Sequence, residues 1–88
     1  MTVILDGCMM TDRTTLHEYL KTQLSLPSYY GKNLDALYDL LTEINTSVKI
    51  EIINSAKIKT QLGNYGLSLE NTFRDASEEN PFLEVEFK

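Results

Sequence analysis

Val48-Lys49-Ile50-Glu51-Ile52-Ile53 is the stretch on which the fold turns: Val48, Ile50 and Ile52 alternate with Lys49 and Glu51 until Asn54-Ser55 breaks the pattern. Alternation with period two marks a strand with one buried and one wet face. Immediately upstream, Asn33 is placed to cap a helix in which Leu34, Leu37 and Leu41 recur at helical spacing, running to about Glu43. Farther back, Leu16, Tyr19, Leu20 and Leu24 predict another helix, with Thr15 and Glu18 spaced as a capping box near its start. Leu26-Pro27 ends it, because the residue before a proline is driven out of the α region, and Ser28-Tyr29-Tyr30-Gly31-Lys32 follows as a loop. Val3-Ile4-Leu5, a short apolar run stopped by Asp6-Gly7, predicts a first strand buried on both faces. Downstream, Ser55 is placed to cap a short helix that carries Ile58 and Leu62 and ends at Gly63. Ser68 is placed to cap a fourth helix with Leu69, Phe73 and Ala76 inward, stopped at Asn80-Pro81. Leu83, Val85 and Phe87 alternate with Glu84 and Glu86 in a last strand over 82–87.

The order β-α-α-β-α-α-β predicts an α/β fold with a three-stranded parallel sheet and four helices, since each crossover holds enough helix to return the chain in the same direction. The wet alternation of the later strands places the helices chiefly on one face. At 88 residues the chain reads as one domain with one modest core, without repeats or linkers. Thirteen acidic against eight basic side chains give a net charge of -5, which repels phosphate backbones and anionic lipids and attracts a basic protein. Nucleic acid and membrane are therefore poor partners. No apolar run approaches the roughly 20 residues that cross a bilayer. Met1 to Gly7 turns polar too soon for a secretion signal, so a cytoplasmic setting is expected. Cys8 is the single cysteine, which excludes an internal disulfide, and no metal or cofactor motif occurs. Asn45-Thr46-Ser47 matches a glycosylation sequon by chance in such a setting.

Asp35, Tyr38, Asp39 and Thr42 fall at i, i+3, i+4 and i+7, on the side of their helix away from the leucine stripe. Like charges at i, i+4 weaken a helix, so the acids are placed there at a cost that a cationic partner would reverse. The fourth helix repeats the arrangement with Asp75 and Glu79 at i, i+4 and Thr72 before them. If the two ridges border one patch, their field would steer a basic protein to it. Tyr29 and Tyr30 are both candidate partner contacts on their bend, with one ring expected to pack inward and the other to face outward. Catalysis finds little support. His17, the only histidine, is expected on the solvated side of its helix beside Lys21, and no nucleophile elbow, P-loop or dinucleotide fingerprint is present. Asp6 lies where α/β sheets bind ligands, yet a turn-forming Asp before Gly explains it equally.

The segment LSLPSYYGKNLDALYDLLT, Leu24 to Thr42, closely resembles the central loop and helix of the barstar family, cytoplasmic protein inhibitors of the extracellular ribonuclease barnase. The likeness extends over nearly the whole chain, through VILDG at Val3, LHEYLKTQL at Leu16 and FRDASEE at Phe73. It implies an inhibitor, monomeric when free and without enzymatic activity or cofactor, that buries its second helix and preceding loop in the cleft of a nuclease and confers immunity. By the same resemblance Asp39 would take the place of a substrate phosphate among catalytic arginines and a histidine, Asp35 would meet a further arginine, and Tyr29 would pack on the histidine. Gly31, Asn33, Leu34, Tyr38 and Thr42 match contact positions, and Asp75 stands where the family has a supporting glutamate. The chain departs from the family at Tyr38 and Ile44, which replace tryptophans, at Glu43, which replaces a glycine, and at Val48, which replaces a proline. The first three alter the contact rim, so the nuclease need not be barnase itself. A general acidic module for another basic protein, with no nuclease involved, is the alternative.

Overall fold

A computed structural model of the chain describes residues 1–88. The elements run β1 (Thr2–Asp6), one turn of 3-10 helix (Gly7–Met9), α1 (Arg13–Gln23), α2 (Leu34–Thr42), β2 (Val48–Ile53), α3 (Ala56–Leu62), α4 (Asn64–Glu79) and β3 (Leu83–Phe87). The strands form one sheet in the order β1-β2-β3 with both pairings parallel, as the element order predicts. Their register sets Val3, Ile50 and Val85 in one row and Leu5, Ile52 and Phe87 in the next, on one side of the sheet. Leu5, Ile50 and Ile52 are fully buried there with Leu16, Leu20, Leu37, Leu41, Ile58, Leu69 and Phe73 from the four helices. The intervening rows, Thr2-Lys49-Glu84 and Ile4-Glu51-Glu86, face the other way, and Ile4 is largely exposed, so β1 is buried on one face and not on both as its apolar run suggested, because every helix lies on the opposite side of the sheet. That face neutralises itself: Lys49 reaches Glu86 at 3.1 Å and Glu84 at 3.8 Å, and Lys88 pairs with Glu51.

Two helix starts differ from expectation. The first helix begins at Arg13 because Asp12, in extended conformation, caps it: its carboxylate accepts the Thr15 N–H at 2.8 Å and the Thr15 hydroxyl at 3.1 Å. A carboxylate facing the positive end of a helix caps it and also complements the helix dipole, so Thr15 lies inside. α4 begins a turn before Ser68, straight after Gly63, whose φ of +59° ends α3 and lets the chain turn at once into the next helix. Gly66 makes the corner close, since a Cβ there would lie 2.7 Å from the Ile58 carbonyl oxygen. Ser55 precedes α3 without a side-chain capping bond.

Asn80 ends α4 and then fastens α2. Its buried amide Nδ2 donates to the carbonyls of Leu41 and Ile44, each at 2.9 Å, and its Oδ1 accepts the Phe82 N–H at 3.0 Å. Carbonyls at the end of a helix have no partner within it, so this one side chain satisfies that of Leu41 together with that of Ile44 just beyond the helix, and ties α2 to the start of β3.

His17 is buried, 2 % exposed, where the sequence suggested a solvated position. Its Nδ1 and Nε2 each lie 2.6 Å from a phenol, Tyr30 on the loop before α2 and Tyr65 at the start of α4. A neutral imidazole donates from one nitrogen and accepts at the other, so both polar atoms are satisfied and the cost of burial is offset. Burial, followed by the positive charge of Arg13, holds its pKa below the ordinary range. Burial, and then Tyr65, push the Tyr30 phenol well above its own.

Replacing Asn80 with Ala leaves two carbonyls beneath the α2 terminus without donors and is expected to cost about 2–3 kcal/mol in urea denaturation; a loss below about 0.5 kcal/mol would contradict the role. The imidazole gives a pH signature. Its folded pKa lies below the unfolded value near 6.5, so its stabilisation is complete above that pH and is lost as pH falls toward the folded value. The urea midpoint of the parent chain should therefore drop between about pH 7 and about pH 5.5, while His17→Gln holds level across that window. An identical decline in both proteins would assign the effect to other groups.

Candidate functional site

The loop and α2 are set by local chemistry that the sequence announces. Asn33 Oδ1 accepts the Ala36 N–H at 2.7 Å as helix cap, and its Nδ2 donates back to the Gly31 carbonyl at 3.2 Å. Lys32, between them, holds a left-handed φ of +54°, a conformation costly for a lysine and sustained by the bonds on either side. Its ammonium pairs with Glu18 of α1. Tyr30 is buried on His17, whereas Tyr29 stands 79 % exposed. One ring therefore goes in and one out, and Tyr30 serves the loop as an anchor because its hydroxyl and ring are taken up by the core.

Along α2, Leu37 and Leu41 are buried, Leu34 and Tyr38 half-buried, and Asp35 and Asp39 exposed. Thr42 turns its hydroxyl back onto the Asp39 carbonyl at 2.9 Å. Ile44 is half-buried, packed on the core beside the carbonyl that Asn80 holds. Asp75 and Glu79 are exposed on α4, which packs directly on α2. The two ridges meet at Tyr38: partial burial, then the negative fields of Glu79, Asp75 and Asp39, hold its phenol above the usual range. Tyr29, Gly31, Asp39, Leu40 and Glu43 border a shallow depression of about 220 Å³ on the loop side of the same helix.

What distinguishes this face is the missing counter-charge. Glu18, Glu51, Glu70, Glu84 and Glu86 have a lysine or arginine of the chain within ion-pair distance. Asp12 caps α1, and Asp6 accepts the Cys8 N–H at 2.9 Å and the Asn54 amide at 3.0 Å, so Asp6 is a turn residue. The acids left with neither cation nor cap are Asp35, Asp39, Glu43, Asp75, Glu78 and Glu79, every one on α2, its C-cap or α4. Glu43 and Glu78 extend the set found by helical spacing; Glu43 lies one turn beyond Asp39, a signal available in the sequence. Such a surface offers acceptors to a cationic partner. No group of His, Cys, Asp or Glu gathers in a geometry that could hold a metal ion. No helix is long and apolar enough to cross a membrane.

The whole chain, residues 1–88, matches the family described as Barstar (barnase inhibitor). It is 37 % identical over 87 residues to a protein of Bacillus subtilis (strain 168), YrdF, described as a candidate ribonuclease inhibitor, and the match covers 98 % of this chain and 92 % of that protein. With the parallel three-stranded sheet and four helices in the order the sequence predicts, the chain belongs to the barstar family.

Proposed function

We propose that the chain inhibits a ribonuclease of the barnase type by laying the α2–α4 acidic face and the loop Ser28–Lys32 over the enzyme's basic active site, so that carboxylates occupy the places of RNA phosphates. The observation that carries this reading is the set of unpaired acids around Tyr38. The chain has eight cationic side chains and brings none within ion-pair distance of Asp35, Asp39, Asp75 or Glu79. Mutual repulsion raises the free energy of the uncomplexed face, and arginines or lysines of a partner relieve it.

In this reading Asp39 is the central phosphate mimic and Asp35 pairs with a second cation. Asp75 and Glu79 reinforce the field from α4. Tyr29 stacks on an imidazole or guanidinium seated in the depression beside Asp39. Gly31, Asn33, Leu34, Tyr38, Thr42 and Ile44 form the rim, with Tyr38 and Ile44 setting which nuclease fits. No bond is made or broken; inhibition is occlusion. The chain acts as a monomer inside the cell that produces the enzyme.

Mixing the purified chain with a barnase-type ribonuclease should abolish RNA cleavage at near-equimolar ratio. Asp39→Asn should weaken the complex by about 100-fold or more, because it strips a desolvated cation of its partner. It should change folding stability by less than about 0.5 kcal/mol, since an exposed and unpaired acid has little to lose in the free chain. Undiminished cleavage at micromolar excess, or equal losses in binding and stability, would overturn the proposal.

A further inference from the structure

The largest cleft on the molecule, about 580 Å³, adjoins the acidic face but differs from it in charge. Asn33, Leu34 and Asp35 at the start of α2 line it together with Lys32, with Arg13 of α1 and with Tyr65 of α4. Lys32 is compensated by Glu18, whereas Arg13 has no acid of the chain within ion-pair distance. Its guanidinium carbon sits 4.1 Å from the centre of the Tyr65 ring. An arginine over an aromatic ring spends none of its N–H donors on a carboxylate, and no acid of the chain claims them here. The platform is fixed: the Tyr65 hydroxyl is held at 2.6 Å by His17, which is held in turn by Tyr30 of the interface loop. Arg13 and Asp35 thus share one cleft as an unpaired cation and an unpaired anion.

We propose that Arg13 is a second, oppositely charged contact of the same interface, receiving an Asp or Glu carboxylate at the rim of the ribonuclease's basic site while Asp35 takes the cation beside it. This rests on the ribonuclease reading and deepens it. A carboxylate suits the site because the guanidinium edge offers two parallel donors, and because stacking on a tethered ring has already removed much of the side-chain freedom that binding would otherwise cost. A lone cation on an otherwise acidic face also sets orientation: turning the partner about the contact would bring Arg13 against arginines or lysines.

The test lies in a sign. A basic enzyme should bind more tightly when the inhibitor loses a positive charge, so Arg13→Gln tightens the complex if Arg13 meets only the general field. If Arg13 meets a carboxylate, Arg13→Gln weakens the complex by about 3- to 10-fold, Arg13→Glu weakens it further, and Arg13→Lys recovers part of the loss. Titration of each variant against a barnase-type ribonuclease, with Asp39→Asn as reference and urea denaturation as a check on folding, separates the outcomes. Weakening by Asp39→Asn with no change or a gain for Arg13→Gln overturns the Arg13 contact alone. No binding by the parent chain, or indifference to Asp39→Asn, overturns the ribonuclease reading and this contact with it.

Discussion

Packing of α2 against α4 is the constraint on which the rest depends. Leu37 and Leu41 on one helix and Leu69, Phe73 and Ala76 on the other are fully or almost fully buried, so the outward sides of both helices come to lie side by side. Each large apolar side chain removed from water contributes roughly 1.5–3 kcal/mol, whereas a like-charge pair on a helix surface costs only a few tenths. The core therefore holds a repulsive patch in place with ease. The outer face of the sheet shows the opposite solution, with Lys49 and Lys88 spread over Glu51, Glu84 and Glu86. The fold thus pairs the acids of one face with its own cations and leaves those of the other unpaired, the contrast on which the proposed function rests.

Two buried polar side chains keep that face in shape. His17 ties the loop before α2 to the start of α4 through Tyr30 and Tyr65, and Asn80 ties the end of α2 to the strand that follows α4. Every polar atom of both is paired, so rigidity is gained without an orphaned donor or acceptor. A surface ordered before its partner arrives loses less freedom on binding, which favours the occlusion proposed for this face.

The second and third strands and α2 were legible in the sequence because their periodicities are unambiguous: Val48 to Ile52 and Leu83 to Phe87 alternate, and Leu34, Leu37 and Leu41 repeat behind a good Asn cap, whereas the unbroken run Val3-Ile4-Leu5 marked a strand without telling which face is wet. The starts of α1 and α4 were misplaced because the signals that decide them, Asp12 and Gly63, lie outside the apolar repeats. The face built by Asp35, Tyr38 and Asp39 could be read from spacing along one helix; its union with Asp75 and Glu79 could not, because adjacency of two helices is a tertiary fact. His17 escaped for the same reason, its partners standing 13 and 48 residues away. Periodicity speaks of which side of a helix is wet only when nothing polar covers it.

Mapping amide chemical shifts of the isotope-labelled chain as a ribonuclease is titrated in tests the central claim most directly. The account predicts that the largest changes gather on Tyr29 to Glu43 and on the Asp75–Glu79 end of α4, while Lys49, Glu51, Glu84 and Glu86 on the outer sheet face keep their positions. Changes centred on that sheet face, with α2 silent, would contradict it.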